Sequence, residues 1–301
     1  MFASFQEIEK YILDNKIVKK VALGGAHDKD ALEAIVNARR KGVINAILIG
    51  NVEEIVKLLA GMQEQVGDYE IIPAETEQEC AAMACQYVKD GKADIPMKGL
   101  MQTSAFMRAI LDKEAGFLEE GALLSQCTVL QYTQEGRMMI ISDCAVNIAP
   151  EYAEKVKILK NAVKLAGQLG SEQPKVAVVA PVEVINPAIP VTIEAAMLSK
   201  AAQRGQIKGC IVDGPLALDN AVSEEAARHK GIDSPVAGTA DILLMPDLST
   251  GNVFTKALTY FAQLPSAGTL NGTSRPVIMT SRTDTPANKY YSILVAVLQT
   301  L

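Results

Sequence analysis

The chain has 301 residues, 49% of them hydrophobic and 21% charged, with few aromatics and no Trp; that balance excludes disordered and fibrous classes. A formal net charge of −6 works against a nucleic-acid partner, because binding a phosphate backbone requires a concentrated basic face. The length allows one large or two medium α/β domains with a sizeable buried core.

The N-terminal stretch is amphipathic, but Glu7, Glu9 and Asp14 interrupt it, so it does not read as a signal peptide. No later run approaches the ~20 apolar residues of a membrane span, and no membrane partner is expected. A short apolar run, a small-residue turn and an amphipathic helix then recur along the chain. Strands are expected at 20–23, 46–49, 69–72, 94–97, 137–142, 175–180, 209–212, 241–245 and 277–280. Arg39-Arg40-Lys41, the densest basic run, closes a predicted helix, where cations complement the helix dipole. Thr76-Glu77-Gln78-Glu79 is a capping box opening a helix that runs to Asp90 and stops at Gly91. After Pro150, the spacing of Tyr152, Val156, Leu159, Val163 and Ala166 predicts a helix ended by Gly170. Ser223-Glu224-Glu225 starts another, closed by Gly231.

This alternation predicts an α/β fold with largely parallel sheets covered on both faces. The expected division is a first α/β domain over 1–136 plus 285–301 and a second over 137–284. Five cysteines (80, 85, 127, 144 and 210) form no CxxC pair and leave one unmatched, which places the chain in a reduced cytoplasm. The two histidines, His27 and His229, lie far apart, so no metal site is expected.

Ligands of open parallel sheets bind at the carboxyl ends of the strands, which reduces the search to six loops: 24–27, 98–104, 143–147, 213–215, 247–252 and 281–284. The first lacks the spacing of a dinucleotide fingerprint and reads as a tight strand-to-helix turn. No P-loop or GxSxG element occurs. In the second loop, Lys98 and Gly99 precede Thr103 and Ser104 at the start of a helix carrying Arg108. Two readings stand there: an anion site, or hydroxyls that merely cap the helix. Ser281, Arg282 and Asp284 combine a hydroxyl, a fixed cation and a carboxylate. That set suits oxyanion binding and proton transfer, and it also suits a plain turn before a capped helix.

Four stretches, MKGLMQTSAFMRAIL (97–111), SDCAVNIAP (142–150), ADILLMPDLSTGNVFTKAL (240–258) and PVIMTSRTD (276–284), resemble the phosphate acetyl/butyryltransferase family, most closely its butyryl-transferring branch. The resemblance implies reversible acyl transfer, acyl-CoA + phosphate ⇌ acyl phosphate + CoA, with no cofactor beyond the substrate coenzyme A. It implies two α/β domains with an interdomain cleft, as in isocitrate and isopropylmalate dehydrogenases, and a homodimer or higher homo-oligomer. By the same match Ser281, Arg282 and Asp284 are expected to be catalytic. Lys98, Gly99, Thr103, Ser104, Arg108, Asp143, Asn147, Asp247, Gly251 and Asn252 are expected to bind substrate. The chain departs from the acetyl-transferring pattern seven residues after Ser281, where Asn288 replaces a catalytic Asp. Either Asp284 supplies the base, or catalysis rests on positioning and charge stabilisation. Cys144 reads as a small buried hydrophobe rather than a nucleophile. Leu100, Met101, Phe106, Ile185 and Pro187 are expected to line an acyl pocket wider than acetyl requires.

Two other readings are weighed. An NAD-dependent hydroxy-acid dehydrogenase would use Lys289-Tyr290 but needs an aspartate cluster the sequence lacks. A non-catalytic acyl-CoA or phosphate sensor would keep the fold without turnover.

Overall fold

The computed structural model describes residues 1–114, 116–118, 120–132 and 136–301. In chain order the N-terminal part contains α1 (Phe5–Asp14), β1 (Lys19–Gly24), α2 (Lys29–Arg40), β2 (Ile44–Gly50), α3 (Val52–Gly61), β3 (Glu70–Pro73), α4 (Glu77–Lys89), β4 (Ile95–Lys98) and α5 (Thr103–Ile110). The middle contains β5 (Ser125–Tyr132), β6 (Arg137–Ser142), α6 (Tyr152–Gln168), β7 (Lys175–Val179), α7 (Pro190–Gln203), β8 (Ile211–Leu216), α8 (Leu218–Val222), α9 (Glu224–His229), β9 (Ile242–Leu244) and α10 (Leu248–Tyr260). The C-terminal part adds β10 (Ser266–Asn271), β11 (Val277–Ile278) and α11 (Pro286–Leu298).

These elements form two α/β units, one of Phe5–Ala122 with Ser266–Leu301, the other of Met1–Ser4 with Leu123–Pro265. The division differs from the expected one at 1–4, where Phe2 N–H donates to the Leu169 carbonyl, and in two longer stretches, for a pairing reason. Residues 125–132 hydrogen-bond along β6 and so group with the middle of the chain. Residues 266–278 fold back as a β10–β11 hairpin whose β11 pairs with β4.

In the discontinuous unit the strand order is β3-β2-β1-β4-β11-β10. Every neighbouring pair is parallel except β10–β11. The chain leaves β1 towards β2 and β3 on one side and returns as β4 on the other, so the topological switch lies between β1 and β4. α11 is the unit's central helix: every residue from Ser292 to Leu298 is buried, and Lys289 and Tyr290 with them. Its capping chemistry is complete, with Thr285 accepting from the Asn288 N–H and Pro286 in the first turn. Phe5 of α1 stacks on Tyr291 at 4.3 Å, and the Tyr290 hydroxyl donates to Glu9.

The other unit has the order β5-β6-β9-β7-β8, parallel throughout except β5–β6. Its core gathers Leu130, Met139, Ile141, Ala177, Val179, Leu216 and Leu243.

All nine expected strands are present. The helix at 77–89 has the expected box, with the Thr76 hydroxyl accepting from Glu79 N–H and the Glu79 carboxylate accepting from Thr76 N–H. Four expectations need correction. β5 and β10 escape a hydropathy reading because they bury polar side chains that find partners. In β5 Gln126 donates to Thr128, and in β10 Gln299 donates to Asn271. Residues 213–215 form part of β8 rather than a loop; it is the end strand of the order, where a proline removes no needed donor. Residues 248–252 are the first turn of α10, because the Asp247 carboxylate caps it by accepting from Thr250 N–H at 2.8 Å. Finally, the buried face of α6 is formed by Ile158, Leu159, Ala162, Leu165 and Ala166, so Val156 and Val163 sit at its margin.

Candidate functional site

In the discontinuous unit β1, β4 and β11 run parallel, so the loops at 24–28, 98–104 and 279–285 emerge at one edge of the sheet, across the switch point. The first two are stitched together by Gly99 N–H to the Gly24 carbonyl (2.8 Å) and Leu100 N–H to the Gly25 carbonyl (2.9 Å). A Cβ on Gly99 would lie 2.4 Å from the Gly25 carbonyl oxygen, so only glycine fits this crossing. The Gln102 N–H donates to Glu77 at 2.9 Å and fixes the start of α5. His27 is engaged at the end of β2, accepting from Asn51 N–H, and Asp28 caps α2.

At α5 the capping position is Gln102, and no side chain caps the helix. The exposed Thr103 and Ser104 therefore do not have the capping role that was the alternative to an anion site. Arg108 is exposed one turn further along. Met101 and Phe106, expected in an acyl pocket, are fully buried and belong to the core, whereas Leu100 is exposed.

The 281–284 loop is held from beneath by Lys289, only 1% exposed. Its ammonium donates to the carbonyls of Ser281 (2.9 Å) and Asp284 (2.8 Å), with a longer contact to that of Arg282 (3.5 Å). The Asp284 carboxylate accepts from the Ser281 N–H at 2.7 Å, closing the turn from above. Ser281 and Thr283 share a hydroxyl–hydroxyl bond of 3.1 Å, and Ser281 and Arg282 are exposed. Asn288 faces elsewhere: its side-chain oxygen accepts from Ser266 N–H and ties α11 to β10.

Lys98, at the end of β4, is the second buried lysine, 2% exposed. Its ammonium has one long contact, 3.5 Å to the Gly99 carbonyl. Burial, and the nearby charges of Arg282 and Lys289, push its pKa down to about 8 against the opposing pull of Asp28 and Glu77. Among the described residues no carboxylate lies within salt-bridge distance of Lys98, Arg282 or Lys289. Sequence reasoning missed the role of Lys289. The available signal was a lysine in the first turn of a helix, where the dipole disfavours a cation unless something else compensates it.

In the other unit β6 and β9 are paired neighbours, which brings the 143–147 and 247–252 segments together. Asp143, 3% exposed, accepts from the N–H groups of Ala145 (2.8 Å), Val146 (3.1 Å) and Asn147 (3.0 Å), and from the Asn147 side chain. Asn147 also donates to the Leu124 carbonyl. Gly251 lets α10 approach: a Cβ there would be 2.2 Å from the Asp143 carbonyl oxygen. Asn252 donates to the Cys144 carbonyl at 3.1 Å, and the Thr255 hydroxyl donates to the Cys144 sulfur at 3.2 Å. Burial pushes the Cys144 thiol up to about 12, which removes it as a nucleophile near neutrality. The polar atoms of Asp143, Asn147, Asp247 and Asn252 thus build and cap one corner.

Among the described residues no group of three or more His, Cys, Asp or Glu side chains forms a metal cage, and no helix is long and apolar enough to cross a membrane.

A family model described as phosphate acetyl/butaryl transferase matches residues 77–297. The chain is 47% identical to phosphate butyryltransferase of Clostridium acetobutylicum, over 99% of this chain and 98% of that one. It is 44% identical to phosphate acetyltransferase of Thermotoga maritima, over 92% of this chain and 94% of that one. Among solved structures it superposes on a branched-chain phosphotransacylase from Enterococcus faecalis with a TM-score of 0.82 and 30% identity, covering 94% of this chain and 99% of the other.

Proposed function

The chain belongs to the phosphate acetyl/butaryl transferase family and transfers acyl groups reversibly between coenzyme A and phosphate; on that premise we propose that it acts on butyryl or branched short-chain esters and that the 281–284 loop is its phosphate-handling element. The preference rests on the likeness to proteins named for butyryl and branched-chain substrates. It will be graded, because a methylene in an apolar pocket discriminates by only about 1–3 kcal/mol.

One observation carries the site assignment. A buried lysine with no carboxylate beside it holds three carbonyls of a loop whose outer face presents a hydroxyl and an arginine. Such a loop is rigid from within and cationic outside, which is what a reacting phosphate needs. In the direction of acyl-CoA synthesis, the CoA sulfur attacks the carbonyl carbon of the acyl phosphate. A tetrahedral intermediate forms, the bond between the acyl carbon and the bridging oxygen breaks, and phosphate leaves with that oxygen. Arg282 holds the phosphoryl oxygens in a planar fork, and Ser281 donates to the oxyanion or to the leaving group. Asp284 receives the thiol proton in this reading while its bond to the Ser281 N–H keeps the turn closed. Thr103 and Ser104 contribute from the start of α5 and Arg108 from its last turn. The corner built by Asp143, Asn147, Asp247, Gly251 and Asn252 is a second substrate-binding element. The enzyme works in the cytoplasm as a homodimer or larger homo-oligomer, without nucleic acid and with no cofactor beyond coenzyme A.

The test is release of free thiol from acetyl-, propionyl-, butyryl- and isobutyryl-CoA, with and without phosphate. Phosphate-dependent release that is greatest for the four-carbon esters is expected. Arg282→Ala should raise the phosphate KM at least tenfold. Binding of the esters with no phosphate-dependent release from any of them would end this reading and favour a binding protein.

A further inference from the structure

Two lysines lie buried near one loop and differ in how their donors are used. Lys289 satisfies its ammonium with carbonyls of 281–284. Lys98 satisfies almost none of it: one carbonyl at 3.5 Å is at the limit of a hydrogen bond, and among the described residues its two other N–H donors have no acceptor. An ammonium taken out of water without a partner costs several kcal/mol, so a fold retains one only where something outside the chain compensates it. Its electrostatic surroundings point to an anion. Arg282 from the 281–284 loop and Lys289 from α11 repel it, and among the described residues the main opposing charges are Asp28 at the start of α2 and Glu77 at the start of α4. Both acids are already engaged, Asp28 with the Asp30 and Ala31 N–H groups and Glu77 with Gln102 N–H.

We propose that Lys98 is the buried ligand of the phosphate or phosphoryl oxygens beside Arg282, and that a proton is taken up on it as the dianion binds. This rests on the reading of 281–284 as the phosphate-handling loop and adds a division of labour. Arg282 is the permanent, exposed charge, Lys289 is a strut that never meets the substrate, and Lys98 is a conditional charge completed by the ligand.

The consequence is a proton-linked affinity for phosphate. With a free-enzyme pKa of about 8, Lys98 is charged below that pH and neutral above it. A bound dianion favours the charged form and raises the pKa. Above pH 8 and above the second ionisation of inorganic phosphate, the phosphate KM should therefore climb by nearly tenfold per pH unit. The KM for acyl-CoA should not follow. The measurement is a pH series of both constants from 7 to 9.5 for wild type, Lys98→Met and Lys98→Arg, with calorimetric titration of wild type by inorganic phosphate in buffers of different ionisation enthalpy. Lys98→Met should raise the phosphate KM at least tenfold at pH 7 and flatten its pH dependence. Lys98→Arg should bind phosphate with no rise near pH 8. Wild type near pH 8 should take up about half a proton per phosphate bound. A phosphate KM within twofold of wild type and an unaltered pH profile in Lys98→Met would overturn the proposal, as would the absence of proton uptake by wild type. Failure of the underlying reading looks different: wild type would then show no phosphate-dependent turnover with any ester.

Discussion

Lys289 and Lys98 carry the same charge at nearly the same burial, yet removing each should have opposite effects on the resting protein. Lys289→Met leaves the carbonyls of Ser281 and Asp284 without their donor and frees the loop that carries Arg282. We expect a loss of about 2–4 kcal/mol in urea unfolding and a kcat lowered at least tenfold, because the reacting groups lose their fixed positions. Lys98→Met removes a charge that the protein's own groups compensate poorly. Its folded pKa of about 8 lies below its unfolded value of 10.5, so in the native state the charged form is penalised. The unfolded chain binds the extra proton between those values, so the penalty is complete below about pH 8 and is relieved as pH rises towards 10.5. Lys98→Met should thus raise Tm by a few degrees at pH 7 in the absence of phosphate and much less at pH 10. A thermal-shift series without phosphate that shows destabilisation at pH 7 would contradict this account. Asp284→Asn separates the two roles of that residue: loss of a base removes the acidic limb of the kcat/KM profile, whereas loss of the Ser281 tie scales the rate equally at every pH.

Helices and strands carry the site by where they end. β1, β4 and β11 finish at one edge, and local chemistry sets the path of the chain beyond each of them: glycines let 24–25 and 98–99 cross, and a Thr285-Pro286 start turns the chain into α11. In the other unit α10 begins against the Asp143 carbonyl because Gly251 has no side chain. Gly251→Ala is expected to push α10 off that corner, with a stability loss of about 1–3 kcal/mol by denaturant unfolding and a rise in KM for substrate. A silent Gly251→Ala would show that the corner has slack. The cap of α4 makes a useful contrast. Thr76→Ala should cost about 1 kcal/mol through the lost bond to Glu79 N–H and leave kcat unchanged, since none of its bonds reaches the 281–284 loop.

For the whole molecule the order of elements along the chain decides what can fold alone. The unit of Leu123–Pro265 is continuous apart from Met1–Ser4, whereas the other is built from two distant pieces. Its sheet needs β11 beside β4, and its core needs α11, whose face from Ser292 to Leu298 is buried. Residues 5–122 expressed alone should therefore lack cooperative unfolding, monitored by circular dichroism, and should regain it when 266–301 are supplied on the same chain. A cooperative transition in 5–122 alone would mean that α11 contributes far less than its burial implies.

Composition, capping boxes and apolar runs were enough to determine nine strands, the bounds of several helices, the parallel α/β class and the loops worth watching, because each of these is settled within a few residues of chain. The motif residues at 97–111, 142–150, 240–258 and 276–284 likewise carried the family, over elements that the fold then placed at strand ends. What sequence could not determine depends on contacts between distant residues. β5 is a strand because it pairs along β6, and β10 because it pairs with β11. The 247–252 turn meets the 143–147 segment because β6 and β9 pair, and Lys289 holds Ser281 because α11 passes beneath that loop. The burial of Lys98 without an acidic partner belongs to this second class. A lysine at the end of a strand reads as surface, and only the packing of β4 between its neighbours takes it out of water.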